Sequence, residues 1–451
     1  MKENKFLIVG AGRSGIAAGR MLLTLGKEIV IYDGNTDLDT EAVKAQIGTT
    51  EDILFILGKV QNGDFDGIEK CVVSPGVALD TPVMKAVIES GIPVMGEIEL
   101  AYLYDKGQVI ALTGTNGKTT TTSLTYEIVK SFNEKTLLVG NIEIPYTGLA
   151  LTSEEGGATV AEISSFQLET MHTFCPKVSA ILNITPDHLD RHKTMENYID
   201  IKKSIAKNQG EDDYCVLNYE DAILREFGKT LKCNVVYFSS EHELQNGIYY
   251  KDNIIYIAKD GKAEEFCDVR ETNLVGVHNY ENIMAALGIT MSFGVPLDVI
   301  KEAVKKFVAV EHRIEFVCEK KGVKYYNDSK GTNTDAAIKA IDAMPSTTVL
   351  IAGGYDKNGD YTDWVSRFPG KVRKLVLIGQ TREKIADACM KAQFRDFCYA
   401  ESLEEAVKIC AESAKEGDCC LLSPACASWG MFKSYQQRGT MFKDFVRELE
   451  D

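Results

Sequence analysis

The stretch ALTGTNGKTTTTSL, Ala111–Leu124, sets the reading of the whole chain. An apolar run precedes it. Behind it, Leu124, Ile128, Val129 and Phe132 recur at helical spacing, so the stretch joins a strand to a helix. A glycine-rich turn at such a junction lets backbone N–H groups converge on phosphate oxygens. Lys118 adds a compact positive charge for β- and γ-phosphates, and the Thr119 hydroxyl can ligate Mg²⁺. The common loop, G-x-x-x-x-G-K-[ST], would need glycine where this chain has Leu112. Here the run is Gly114-Thr115-Asn116-Gly117-Lys118-Thr119, with Thr120 next. A nucleoside triphosphate is the expected ligand. A helix-capping turn with an accidental lysine is the alternative.

A second glycine loop, GAGRSG (Gly10–Gly15), also lies between a strand and a helix, and Asp33 ends the following strand. Gly12, Arg13 and Ser14 open the helix, where amides can cradle a diphosphate. The pattern is the dinucleotide fingerprint. It reads a diphosphate and little else, so nicotinamide, flavin, a nucleotide-sugar or a ligand-free turn all remain open from it alone.

Outward from these loops the chain alternates strands and helices throughout. KFLIVGAG, EIVIYDG, CVVSPG and IPVMGE read as strands of a first βαβ unit. QVIALTG, ATVAEIS, VSAILNI and DYCVLN belong to a second, and VKYYNDSK, TTVLIAGG, KLVLIGQ and DCCLLSP to a third. At 451 residues, roughly three domains are expected from length. The boundaries are set at 1–97, 98–309 and 310–451. The expected fold class is α/β, three doubly wound Rossmann-like domains, the central one with a P-loop-type ATPase sheet. Every suspicious residue sits at a strand's carboxyl end, where open α/β sheets bind ligands.

Composition narrows the partners. A net charge of −16 argues against nucleic acid or an anionic membrane. No apolar run nears the ~20 residues that span a bilayer, so membrane insertion is not expected. The twelve cysteines include no C-x-x-C pair, which reads as reduced thiols of a cytoplasmic protein.

A triphosphate loop needs metal ligands. EISSFQLE places Glu162 at a strand end, and NITPDHLDRH places Asp187 and His188 in a loop after another strand. Each alone could be an ordinary capping or satisfied residue; with Lys118 they gain weight. In YIDIKKSIAKN, Tyr198, Ile201, Ile205 and Ala206 form one helical sector and Lys202 falls inside it. An inward lysine is unusual, though a snorkelling side chain would explain it. In the third unit NDSKGTN, GGYDK and SPACASWGMFKSYQQRG end strands and suit a ligand carrying carboxylates.

Taken together, GTNGKTTTT, EISSFQLE, NITPDHLDRH, GVHNYENIMAA and EHRIE resemble the shared core of the Mur ligases, ATP-dependent amide-forming enzymes of peptidoglycan precursor synthesis. NDSKGTN and SPACASWGMF…QQRG resemble the D-glutamate-adding branch of that family; sister ligases carry other residues in place of Asp328-Ser329-Lys330. The resemblance implies ligation of D-glutamate to UDP-N-acetylmuramoyl-L-alanine through an acyl phosphate, by a monomer using ATP and two Mg²⁺ ions. It reassigns Gly12, Arg13 and Ser14 to the UDP diphosphate, with Asp33, Gly34, Ser74, Pro75, Gly76 and Asn141 completing that substrate's site. The catalytic set becomes Lys118, His188 and Lys202. Gly114–Thr120 would bind ATP with Asn279, Asn282, Arg313, Asp328 and Lys330, His312 opening the third domain beside Arg313. Thr119, Glu162, His188 and a carbamylated Lys202 would hold metal, and His188 also faces the UDP-linked substrate. Thr332, Lys357, Ser428 and Tyr435 would take D-glutamate. Gly331, Tyr355 and Tyr435 depart from or vary within the family pattern. The third domain is expected to close over the second. The rival readings are a sister ligase, a nicotinamide oxidoreductase resting on GAGRSG, and a non-catalytic nucleotide sensor, which would lack the metal ligands.

Overall fold

Strands β1 (Lys5–Val9), β2 (Glu28–Asp33), β3 (Leu54–Leu57), β4 (Lys70–Val73) and β5 (Val94–Gly96) pair in parallel in the order β3-β2-β1-β4-β5. The order reverses at β1, whose neighbours are β2 and β4. The loop after β1 therefore opens into the crevice where such sheets bind ligands. In this computed structural model the described residues are 4–50, 52–61, 63–142, 144–308, 311–356 and 359–450.

The second sheet comprises β6 (Gln108–Thr113), β7 (Thr136–Gly140), β8 (Ala158–Glu162), β9 (Val178–Ile181), β10 (Tyr214–Asn218), β11 (Asn234–Ser239), β12 (Gly247–Lys251), β13 (Ile254–Lys259) and β14 (Lys262–Asp268). Its order is β14-β13-β12-β11-β10-β9-β6-β8-β7. The strands from β12 back to β7 run parallel, and β13 turns antiparallel to β12. The third sheet holds β15 (Glu315–Lys320), β16 (Val323–Asn327), β17 (Thr348–Ala352), β18 (Val372–Leu377), β19 (Phe397–Tyr399) and β20 (Cys419–Leu422), ordered β15-β16-β20-β17-β18-β19. Only β15 is antiparallel to its neighbour among the paired strands of this sheet.

The chain divides into two compact units, Met1–Cys267 with Asn282–Val304, and Asp268–Glu281 with Lys305–Asp451. In the first unit, residues 97 and 98, the expected first boundary, belong to the buried helix Glu97–Tyr102. Glu99 there accepts from the amides of His172, Thr173 and Phe174, and Glu97 accepts from the amide and hydroxyl of Thr147. Phe6 and Ile8 of β1 share one apolar core with Ile98, Leu100, Val109 and Ala111. The two sheets of this unit are thus joined by packing and by hydrogen bonds to two buried carboxyl groups. The other expected boundary, at 309/310, lies outside the described residues.

The strands read from sequence are present. The helix Lys118–Phe132 buries Leu124, Ile128 and Val129, but Phe132 is 49% exposed; the apolar stripe stops one turn before the helix does. Of the twelve thiols, all but Cys175, Cys318 and Cys398 are buried. No helix among the described residues is long and apolar enough to cross a membrane.

Candidate functional site

The glycine loop expected to bind phosphate leaves β6 at Thr113 and enters the helix at Lys118. Gly117, its N-cap, has φ 83°, and a Cβ there would lie 2.4 Å from Asn282 Oδ1. Glycine is required on both counts. The NIT run behind β9 clasps the loop. Asn183 Oδ1 accepts from the Asn116 amide at 2.8 Å, and its Nδ2 donates to the Asn116 carbonyl at 3.1 Å. Thr115 Oγ1 donates to the Thr185 carbonyl and accepts from the Thr185 amide, both at 3.0 Å, and lies 3.1 Å from the Tyr198 hydroxyl. The amide of Thr115 donates to the Asn183 carbonyl. The amides of Thr115 and Asn116 thus hold the loop's shape. Lys118 Nζ folds onto the loop, donating to the Gly114 and Thr115 carbonyls at 2.9 Å each. Thr119 and Thr120 are buried in the first helical turn. Asn282 stands beside the loop and accepts from Thr121 Oγ1 at 3.1 Å.

Glu162 ends β8, next to β6, and is 2% exposed. Its Oε1 accepts from Asn141 Nδ2 at 2.8 Å, while Oε2 is buried with no hydrogen-bond partner. A buried carboxylate oxygen without a donor is costly unless a cation answers it. The residues therefore fit a metal ion. Asn141, expected to contact the sugar-linked substrate, also holds the Glu162 carboxylate through this bond.

Lys202 is 1% exposed, as its place in the apolar sector predicted. Its Nζ donates to the Gly114 carbonyl at 2.8 Å, lies 3.4 Å from Thr113 Oγ1, and sits 4.9 Å above the Tyr198 ring. Burial and then the neighbouring Lys118 push its pKa well below the ordinary lysine value, with Asp187 opposing. His188 has φ 52° at the start of a short helix, and its exposed ring stands edge-on to Phe166 at 4.9 Å. Its Nε2 is 3.5 Å from Asp187 Oδ2.

The first sheet presents the other glycine loop. Gly12 caps the helix Arg13–Thr24, whose first turn carries Arg13 and Ser14. A Cβ on Gly15 would fall 1.9 Å from the Gly10 carbonyl oxygen. Asp33 Oδ2 accepts from the Ala11 amide at 2.8 Å and Oδ1 from the Asn35 amide at 2.9 Å, which stiffens the turn through Gly34. Ser74 Oγ donates to the Gly10 carbonyl at 3.1 Å, bringing the Ser74-Pro75-Gly76 turn against the loop. Three adjacent strands, β2, β1 and β4, thus deliver the residues expected for the UDP-linked substrate to one edge.

In the second unit, Asp328 follows β16 and is buried. Its Oδ2 accepts from Ser423 Oγ at 2.7 Å. Burial raises its pKa to about 7 against the pull of Ser423, Arg313 and Arg438. Lys330 lies 5.4 Å above the Tyr435 ring, and His312 packs edge-on to the same ring at 6.1 Å. Arg438, of the QQRG run, was given no role from sequence, yet it is fully buried. It donates from Nε to Ser329 Oγ at 3.0 Å, from Nη2 to the Ser329 carbonyl at 2.8 Å, and to the Cys426 carbonyl at 3.3 Å. One guanidinium thereby welds the NDSKGTN loop to the SPACASWG loop. Burial lowers its pKa to about 10. Ser428 is buried in the latter loop, the Thr332 amide donates to the Lys330 carbonyl at 2.9 Å, and Tyr355 stands edge-on to Trp429 at 5.5 Å. Asn279 Nδ2 donates to the Val275 carbonyl at 2.8 Å. Lys357 lies outside the described residues. Glu311, His312 and Glu315 cluster like a metal site, but the Lys443 ammonium bonds both carboxylates and supplies the positive charge.

Family models match three segments: a Mur ligase MurD-like N-terminal domain over 4–96, a Mur ligase middle domain over 112–290, and a Mur ligase glutamate ligase domain over 312–426. The chain is 52% identical over 449 residues to a UDP-N-acetylmuramoylalanine–D-glutamate ligase of Lachnospira eligens, covering 100% of each. It is 50% identical over 447 residues to one of Lachnoclostridium phytofermentans, covering 99% of this chain and 98% of that one. Among solved structures, MurF from Acinetobacter baumannii aligns with TM-score 0.62 at 17% identity, over 94% of this chain and 91% of that one. A UDP-N-acetylmuramate-alanine ligase from Thermotoga maritima aligns with TM-score 0.60 at 18% identity, over 98% and 99%. These two likenesses speak to the fold.

Proposed function

The chain belongs to the Mur ligase family, and we propose that it joins D-glutamate to UDP-N-acetylmuramoyl-L-alanine in the cytoplasm, converting ATP to ADP and phosphate. The observation that carries this reading within the site is the pairing of opposites around β6. Two lysines, Lys118 and Lys202, meet on the Gly114 carbonyl, and the neighbouring strand ends in a buried carboxylate with an unanswered oxygen.

A carboxylate is a poor electrophile, so the γ-phosphoryl group is first transferred to the L-alanyl carboxylate, giving an acyl phosphate. The D-glutamate amine then attacks the acyl carbon, and the tetrahedral intermediate expels phosphate. The first step brings two anions together, which is why cations crowd the site. Lys118 neutralises the β- and γ-phosphates. Gly12, Arg13, Ser14 and the Ser74–Gly76 turn hold the UDP diphosphate, and Asn141 and His188 face the sugar-linked end. Thr119, Glu162, His188 and a carbamylated Lys202 would hold Mg²⁺, which when bound would supply Lewis-acid charge neutralisation of the phosphoryl and carboxylate oxygens. Only a neutral amine adds CO₂, and burial beside Lys118 favours the neutral amine of Lys202. Asn279, Asn282, Arg313, Asp328 and Lys330 serve ATP, and Thr332, Lys357, Ser428 and Tyr435 receive D-glutamate.

The test is phosphate release from ATP with UDP-N-acetylmuramoyl-L-alanine, with D-glutamate supplied or withheld. Release that requires both, and that L-glutamate or meso-diaminopimelate does not support, is expected. Turnover with another amino acid instead would move the chain to a sister activity.

A further inference from the structure

Arg191, to which the mechanism above gives no role, ties two separate segments of the first unit to its own. Its Nη2 donates to Glu169 Oε2 at 2.6 Å and its Nε to Glu169 Oε1 at 3.3 Å, a bidentate pair that is largely buried. The same Nη2 donates to the Val77 carbonyl at 3.0 Å. The guanidinium carbon lies 5.0 Å from the Phe166 ring centre. Glu169 and Phe166 belong to the segment that follows Glu162. Val77 directly follows the Ser74–Gly76 turn and donates its own amide to the Ser74 carbonyl. Arg191 itself sits three residues after His188, whose ring rests on the same Phe166. Glu169 is a shared hub, since its Oε1 also lies 3.3 Å from Nδ1 of the buried His192.

We infer that Arg191 is a positioning residue for the UDP-linked substrate, fixing the Ser74–Gly76 turn against the segment that carries His188 and Glu162. A substrate gripped by its diphosphate at one end must present its carboxylate at the other, and a small misplacement between the two anchors costs rate steeply. Only a planar fork with several N–H donors can bind a carboxylate bidentately, lie on a ring and reach a carbonyl together. A lysine ammonium cannot. The inference rests on the reading that Ser74–Gly76 hold the UDP moiety.

The experiment uses the full chain and the variants Arg191→Met, Arg191→Lys and Glu169→Gln, with calorimetric Kd for UDP-N-acetylmuramoyl-L-alanine and for ADP with Mg²⁺, and steady-state KM and kcat. Arg191→Met is expected to raise Kd and KM for the UDP-linked substrate roughly tenfold or more and to lower kcat. Its ADP affinity should stay within about twofold, and Arg191→Lys should not rescue it. Glu169→Gln, which keeps an acceptor and loses the charge, is expected to shift the same constants in the same direction by less, and covers the case in which Arg191→Met does not fold. Unchanged affinity of both variants for the UDP-linked substrate, in a parent that binds it, overturns the positioning role alone. Parallel loss of ADP and UDP-substrate binding with a lowered Tm also overturns it, because the residue would then be holding the fold. A parent that does not bind the UDP-linked substrate removes the functional reading and this inference with it.

Discussion

Lys118 and Lys202 share one acceptor: the Gly114 carbonyl oxygen takes Nζ of Lys118 at 2.9 Å and Nζ of Lys202 at 2.8 Å. Burial is the main reason the proton affinity of Lys202 falls, and the neighbouring Lys118 ammonium adds to it.

In buffer equilibrated with ¹³C-bicarbonate, the parent should therefore show a carbamate carbon resonance that Lys202→Ala lacks. The same variant should lose about 10²-fold or more in kcat. Full activity in Lys202→Ala, or no resonance in the parent, would remove the carbamate from the mechanism.

Glu162 Oε2 is buried without a donor, so a cation should be its partner in the working protein. ADP with Mg²⁺ at about 100 times Kd should stabilise the parent by about 2.7 kcal/mol. In Glu162→Ala most of the Mg²⁺-dependent part of that gain should vanish, while the smaller effect of ADP in EDTA remains. Thermal shifts of both proteins with and without Mg²⁺ decide this; equal Mg²⁺ responses would mean that Glu162 is not a ligand.

Gly15 packs against its own loop so closely that an added Cβ meets the Gly10 carbonyl oxygen at 1.9 Å, and backbone cannot rotate away. Gly15→Ala should destabilise the first unit by on the order of 2 kcal/mol and weaken UDP-substrate binding far more than ADP binding. A variant with parental stability and parental UDP-substrate affinity would show that the loop after β1 is not the diphosphate cradle.

Asp328 has its folded pKa raised by burial, from 3.8 to about 7. Between those values the unfolded chain has released a proton that the folded chain keeps. The stability that the neutral carboxyl confers is thus complete below about pH 4 and is lost as pH rises through about 7, at up to ~1.4 kcal/mol per pH unit. Asp328→Asn removes this dependence. Urea titrations of parent and variant at pH 5, 6, 7 and 8 should give a stability difference that moves against the parent up to about pH 7 and then levels. A flat difference across that range would mean the carboxyl is ionised throughout.

Much of this was legible locally. Strand-glycine-helix junctions at Gly10–Gly15 and Gly114–Thr119 announce themselves through short-range spacing, and both stand where expected. Helical period placed Lys202 in the apolar sector of its helix but left a snorkelling side chain open, and burial of the side chain decides for the inward position. Phe132 shows the limit of that reasoning, since a period does not say where a helix outruns the surface it packs on. Arg438, Arg191 and Asn183 had no periodic signature. Each is one polar residue whose partners come from distant segments, and a lone arginine or asparagine reads as surface until its acceptors are known.

The sequence by itself determined the alternation of strands and helices, the two glycine loops between strand and helix, and the residue types from which a ligase site can be made. These follow from local spacing and steric rules, which act within a few residues along the chain. Only the tertiary structure decided that Lys118 and Lys202 converge on one carbonyl, that Asn141 holds Glu162, and that Arg191 ties the Ser74–Gly76 turn to the His188 segment. Those pairings depend on which strands become neighbours in a sheet, and that is settled by burying whole faces together rather than by any short stretch of residues.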